Sequence, residues 1–156
     1  MEIATGSNPS LRRNQIHDNK QSGVYVHDQG LGTLEDNDIT TNGLFGVMVE
    51  TGGNPILRRN KILDNRSAGV SVHKNGLGTL EDNDITGGRL GGVVISSGGN
   101  PTVRRNRINH NKAHGVWIFE GGRGVIEDND LTGNEIGSLL IAKDSISNVQ
   151  HSGNRE

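Results

Sequence analysis

The chain of 156 residues contains no cysteine, which excludes a disulfide framework and any thiolate-bound metal. It also lacks a basic excess: the formal net charge is -2, so general binding to nucleic acid or to anionic membranes is not expected. No run of about 18 apolar residues occurs, so no membrane-spanning helix is expected. The opening "MEIATGSNPS" has neither the basic nor the apolar segment of a signal peptide, which predicts a soluble cytoplasmic protein. Aromatic residues are scarce at 3%, apolar residues reach only 30%, and there are 24 glycines. In a featureless sequence that balance would predict disorder.

This sequence is strongly periodic, with a repeat of 23 residues. Coils span 6–28, 29–51, 52–74, 75–97, 98–120 and 121–143 without an insertion, preceded by a partial coil 1–5 and followed by a polar stretch, 144–156, that reads as a cap. "MEIAT" aligns with the closing strands "VMVET" and "VVISS", so the chain begins in mid-coil. Counting each coil from its first residue, the sixth column is Leu11, Leu34, Leu57, Leu80, Val103 and Ile126. The eleventh is Ile16, Ile39, Ile62, Ile85, Ile108 and Leu131. The nineteenth and twenty-first are aliphatic throughout, as in "GVYV", and spacing of two indicates strands with one buried face. Gly, Asn and Pro clusters between them preclude long helices. Such coils predict an all-β solenoid in which each strand pairs in parallel with the next coil at about 4.8 Å.

The ninth column is Asn in all six coils, Asn14 to Asn129, and the fourteenth is Asn except at Gly88. Stacked amides can hydrogen-bond from rung to rung, and Asn tolerates the left-handed torsions of a corner. The seventh, eighth and tenth columns alternate in charge: Arg12, Arg13, Gln15; Glu35, Asp36, Asp38; Arg58, Arg59, Lys61; Glu81, Asp82, Asp84; and so on to Glu127, Asp128, Asp130. Opposite charges on neighbouring strands attract by about 0.2 to 1 kcal/mol per pair. A slip of one coil would oppose like charges, so alternation makes each neighbour attractive and fixes register.

The recurring "NPxLRRNxIxDN" and "GLGTLEDNDI", with "GVxV" closing most coils, resemble the parallel β-helix repeat proteins, in particular the right-handed β-helix of F-box proteins and related bacterial arrays. The resemblance covers Met1 to about Lys143 and implies a right-handed, single-stranded parallel β-helix and a recognition surface. More distant β-helices are polysaccharide lyases and hydrolases. The chain carries no F-box, so ubiquitin-ligase function is not implied.

The acid clusters "EDND" at Glu35, Glu81 and Glu127 are the strongest enzymatic candidates, because paired carboxylates hydrolyse glycosides. The Arg pairs of adjoining coils would hold their pKa values low, however, and uniform coils leave no long loops to wall a cleft. A non-enzymatic protein is therefore expected. Calcium-loop and phosphate-loop spacings are not met, so no metal or cofactor is expected. His27, Glu50 and His73 share the twenty-second column, but two imidazoles two rungs apart would be separated by about 9.6 Å. They read as a solvated ladder.

The twentieth column lies between two inward positions and must point outward: Tyr25, Met48, Ser71, Val94, Trp117 and Leu140, with Phe119 on the same face. It holds the only Tyr and the only Trp of the chain. Aromatic residues and Met are enriched at partner surfaces. Tyr25, Met48, Val94, Trp117, Phe119 and Leu140 are thus the expected binding residues of a scaffold module, for a protein partner or a second copy in a homodimer. Carbohydrate is the alternative ligand, with the rings as stacking platforms.

Overall fold

Each 23-residue unit has apolar positions in three groups, and the chain must turn between them; a winding with three flat sides and three corners buries all three. The computed structural model describes residues 1–156 and has this form, a right-handed parallel solenoid of about seven turns. Sheet I contains Glu2–Ile3, Val24–Val26, Val47–Val49, Ala68–Val72, Gly91–Ile95, His114–Ile118 and Gly137–Ile141. Sheet II contains Ser10–Arg12, Thr33–Glu35, Ile56–Arg58, Thr79–Glu81, Thr102–Arg104, Gly124–Glu127 and Val149–Ser152. Sheet III contains Gln15–His17, Asp38–Thr40, Lys61–Leu63, Asp84–Thr86 and Arg107–Asn109. Each strand pairs in parallel with its equivalent one coil away, as in Leu34 with Leu57, Ile39 with Ile62 and Val47 with Val70. The aliphatic columns form one continuous core from Ile3 to Leu131.

Corners follow a fixed pattern. The eighth-column residues Arg13, Asp36, Arg59, Asp82, Arg105 and Asp128 all have φ between 52° and 56°. Left-handed residues also occupy the thirteenth column (Asp18, Thr41, Asp64, His110) and the twenty-third (Asp28, Thr51, Lys74, Ser97, Glu120). A left-handed non-glycine residue costs on the order of 1 kcal/mol or more, so the surroundings must enforce it. The ninth-column Asn is not itself left-handed, contrary to the sequence-based expectation; the residue before it takes the turn, and this swings the amide inward.

There the amides form a ladder. Asn60 Nδ2 donates to Asn83 Oδ1 at 2.9 Å in the next coil and to the Leu34 carbonyl at 2.8 Å in the previous one, while its backbone N–H donates to the same Asn83 oxygen. The pattern runs from Asn14 to Asn129 without a gap. A second ladder joins Asn19, Asn42 and Asn65, and resumes from Gly88 N–H through Asn111 to Asn134. It is interrupted at Gly88 for a steric reason: a Cβ there would lie 2.2 Å from the Gly91 carbonyl oxygen.

One further column is sterically fixed. Gly46 and Gly69, in the eighteenth column, sit where a Cβ would lie 2.5 Å and 2.3 Å from the methyl groups of Ile62 and Ile85. These glycines let sheet I approach the core isoleucines of sheet III.

The C-terminal stretch expected to cap the solenoid instead continues it. A 3-10 turn, Ile146–Asn148, lengthens the final step to 25 residues, so Val149–Ser152 pairs with Gly124–Glu127 in sheet II. Asn154 then accepts from Asn129 at 3.0 Å, and Arg155 pairs with Asp130 at 2.6 Å. The sequence masks this by shifting Asn two places out of phase.

Replacing Asn83 by Ala leaves buried donors on Asn60 and the Leu57 carbonyl without partners, at about 1 to 3 kcal/mol per group. Urea denaturation is expected to show a loss of about 3 kcal/mol or more. Gly88→Asn, which restores the repeat consensus, is expected to destabilise rather than repair.

Candidate functional site

Two surfaces were candidates, and the acids on sheet II are the first. Glu81 is buried and bound by three guanidinium groups: Arg58 at 2.9 Å, Arg105 at 3.0 Å, and Arg104. The hydrogen bond from Arg58, followed by those from Arg104 and Arg105, outweighs burial and lowers its pKa from the ordinary 4.5 to about 2. Glu35 is held by Arg12 at 3.0 Å and by Arg59 at 2.5 Å. Glu35 stands opposite Arg58 in register yet bonds Arg59, one residue further on. The expected charge ladder holds between most column-mates, as in Arg59 with Asp36 at 2.9 Å, Arg105 with Asp82 at 3.1 Å and Arg58 with Glu81 at 2.9 Å; diagonal bonds from Arg59 and Arg105 gather it into clusters on Glu35 and Glu81, and Glu127 forms no ion pair within 4 Å despite facing Arg104. Such clusters suit cohesion and register, and the guanidinium groups hold Glu81 ionised near neutral pH.

The outer face of sheet I is the second surface. Tyr25, Met48, Ser71, Val94, Trp117 and Leu140 stand in register on successive strands, between buried neighbours in every coil but the last. The column is outward, as its alternation requires, but uneven. Leu140 is 39% exposed and Tyr25, Met48, Trp117 and Phe119 are half-buried, whereas Val94 is only 8% exposed. Val94 is thus corrected: small, and flanked in register by Ser71 and Trp117, it lies low in the face and offers little contact area.

Two ring pairs stand at matching positions. Trp117 stacks on Phe119 with centroids 4.4 Å apart, and Tyr25 stacks on His27 at 4.2 Å. Both pairs join the twentieth and twenty-second columns, four coils apart, a separation of about 19 Å at the usual strand spacing. Each ring keeps one face turned away from its partner.

Between the pairs lies Glu50, which is 8% exposed. It accepts a short hydrogen bond from the Tyr25 hydroxyl, and Lys74 Nζ lies 3.1 Å from its Oε2. His73 Nε2 is 3.2 Å from the same oxygen but is not aligned for a hydrogen bond. Burial pushes Glu50 up, but the hydrogen bonds from Tyr25 and Lys74 and the nearby cations hold it below its ordinary value. Burial, then the bond to Glu50, raises Tyr25 to about 12. Burial lowers His73. The solvated ladder expected for His27, Glu50 and His73 is therefore corrected: Glu50 is enclosed and its partners come diagonally from neighbouring columns. His27 is held instead by Glu2 at 2.7 Å and Asp28 at 2.9 Å.

Beside Tyr25 a cavity of about 410 Å³ is bounded by Tyr25 and Met48, by Leu44 and Gln21 on the adjoining turn, and by Ser22. Ser22 is buried and its Oγ has no hydrogen-bond partner. Sequence reasoning missed Ser22 and Lys74, and took Glu50 for a solvated position. The visible signal was the diagonal placement of Tyr25 and Glu50, on adjacent coils two columns apart.

A family model described as "Right handed beta helix region" matches residues 2–155. No curated protein matches the chain. Among solved structures, the periplasmic alginate epimerase AlgG is similar, with a TM-score of 0.60 and 16% sequence identity over 94% of this chain. The chain spans 43% of that protein's length. The likeness is one of fold.

Because Glu81 is depressed in the folded state, the stability it contributes is fully present above pH 4.5 and is lost as pH falls through 4.5 toward 2, where the unfolded chain takes up the proton first. Acid unfolding of the wild type is expected to steepen in that window. The profile of Glu81→Gln should be flatter there; identical profiles would contradict the triple-arginine assignment.

Proposed function

The chain belongs to the right-handed β-helix family, and from that premise we propose that the outer face of sheet I is a non-catalytic binding surface for an extended carbohydrate chain. The observation that carries this reading is the pair of ring stacks in the same two columns, with Ser71, Glu50, His73 and Ser96 between them. An aromatic face carries partial negative charge and attracts the C–H edges of a pyranose ring, while the part-exposed Ser96 hydroxyl between the stacks answers a sugar hydroxyl. A chain lying along the solenoid axis would pass both ring pairs. The cavity beside Tyr25, with the unpartnered Ser22 hydroxyl, lies on that path. The likeness to an alginate epimerase supports the ligand class at the level of fold only.

The acid–base groups support binding rather than turnover. Every carboxylate whose titration is displaced lies below its ordinary value, and the Tyr25 proton is directed at Glu50. Glu50, the enclosed carboxylate of the face, is thus not a raised-pKa acid of the kind glycoside hydrolysis requires.

A protein partner or second copy is favoured by a different feature. Leu44, Leu90 and Ile136 share the sixteenth column on alternate coils and are 40%, 52% and 67% exposed. Sedimentation of the wild type against Leu90→Ser with Ile136→Ser tests this: a dimer that dissociates in the variant supports it, and a strict monomer at high concentration removes it.

For carbohydrate, calorimetric titration with an oligosaccharide panel should detect binding that weakens by about tenfold in Trp117→Ala. Ser22→Ala should weaken binding while leaving the unfolding midpoint unchanged, since its hydroxyl bonds nothing in the free protein. A panel without a binder, or affinity indifferent to Trp117, would overturn the reading.

A further inference from the structure

The corner between sheets III and I carries a charge pattern found nowhere else in the chain. In the seventh, eighth and tenth columns the sign alternates from coil to coil, but the fifteenth column stacks Arg66, Arg89 and Lys112 on three successive coils, with Lys20 two coils before Arg66. Like charges on adjacent strands repel, and a break in an otherwise consistent pattern points to a surface shaped by function. Backbone hydrogen bonds hold the corner in register, as from Ser67 N–H to the Leu44 carbonyl and from Leu90 N–H to that of Ser67, both at 2.9 Å. All four cations are exposed. Three acids adjoin them: Glu135 is taken by Lys112 at 2.6 Å and Asp18 by His17 at 2.8 Å, while Asp64 pairs with neither arginine. In count the border is nearly balanced. What distinguishes it is two guanidinium groups, on Arg66 and Arg89, that have no ion pair.

Beside these cations the sixteenth column alternates large and small side chains, Leu44, Ser67, Leu90, Ala113 and Ile136, and its three large ones are exposed. Ser67 and Ala113 leave two notches about 9.6 Å apart, flanked on their own coils by Arg66 and Lys112. We infer that this corner docks an acidic amphipathic helix of a partner protein, lying along the solenoid axis. Residues seven apart on a helix share a face at about 10.5 Å, close to the notch spacing, whereas same-face positions of an extended strand fall at about 6.8 and 13.6 Å. Apolar side chains of the helix enter at Ser67 and Ala113, and its carboxylates meet the planar forks of Arg66 and Arg89. Residues 1–156 contain no α-helix, so a second copy of this fold does not supply one. A two-fold contact through Leu90 would also set Arg89 against Arg89 and Arg66 against Lys112, opposing like charges. A fluid anionic membrane needs no notches and is repelled by Asp18, Asp64 and Glu135. The inference rests on the protein-partner reading above and is independent of the carbohydrate face.

A display library of random peptides about 18 residues long, enough for about 27 Å of helix, is to be selected on the wild-type chain, with counter-selection on Arg66→Ser with Arg89→Ser. The expected binders carry Asp or Glu beside apolar residues seven apart. They should bind at least about tenfold more weakly to the double variant and to Leu90→Ser, weaken as salt rises, and be unaffected by Trp117→Ala. Arg89→Glu, which breaks the like-charge stack between Arg66 and Lys112, should abolish peptide binding yet raise the unfolding midpoint at low salt. A lowered midpoint would show that the arginines serve the fold and would overturn the inference. So would binders without acids, binders with the period-two pattern of a strand, or no binders at all. Cosedimentation with vesicles of equal parts phosphatidylcholine and phosphatidylserine, lost in Arg66→Ser with Arg89→Ser, would overturn it in favour of a membrane surface. None of these outcomes alters the carbohydrate reading, which Trp117→Ala tests on another face.

Discussion

A single asparagine side chain in this solenoid ties three coils together: its amide nitrogen donates backward to a carbonyl and forward to the next amide oxygen, whose own coil sends the chain onward. Because those groups are buried, any coil that failed to return an amide to the same place would strand donors and acceptors away from water. The ladder therefore dictates a vertical register. Where the chain departs from the period, at the last coil, a two-residue longer step still delivers Asn154 to the ladder. The constraint is thus the amide position and not the residue count.

Everything outward inherits that register. Arginine and glutamate clusters form because equivalent positions are stacked at strand spacing, and the ring pairs face the same way because the twentieth and twenty-second columns repeat without drift. Left-handed corners at three positions per coil hold the three sheets flat enough for this.

Most of the architecture could be read from columns alone. Strand pairing, the inward aliphatics and the asparagine ladder are contacts between column-mates, so alignment by period displays them directly. What the columns hid were diagonal contacts. Arg59 reaches back to Glu35 rather than leaving it to Arg58, and Glu50 is enclosed by Tyr25 and Lys74 from other columns as well as by its column-mate His73. The glycine column at Gly46 and Gly69 was plain in the sequence, but its cause, the isoleucine methyl groups of another sheet, required the packing. Val94 was assigned outward correctly, yet its burial depends on the sizes of its neighbours, which periodicity does not weigh.

The account stands or falls on vertical register, and the absence of cysteine makes it directly measurable with paired spin labels. Labels placed at Ser10 and, in turn, at Thr79, Thr102 and Val125 occupy one outward column of sheet II at three, four and five coils' separation. Pulsed electron-electron resonance should give distances that lengthen by about 4.8 Å with each added 23 residues. Distances that fail to increase in step, or that scatter broadly, would show that equivalent residues are not stacked.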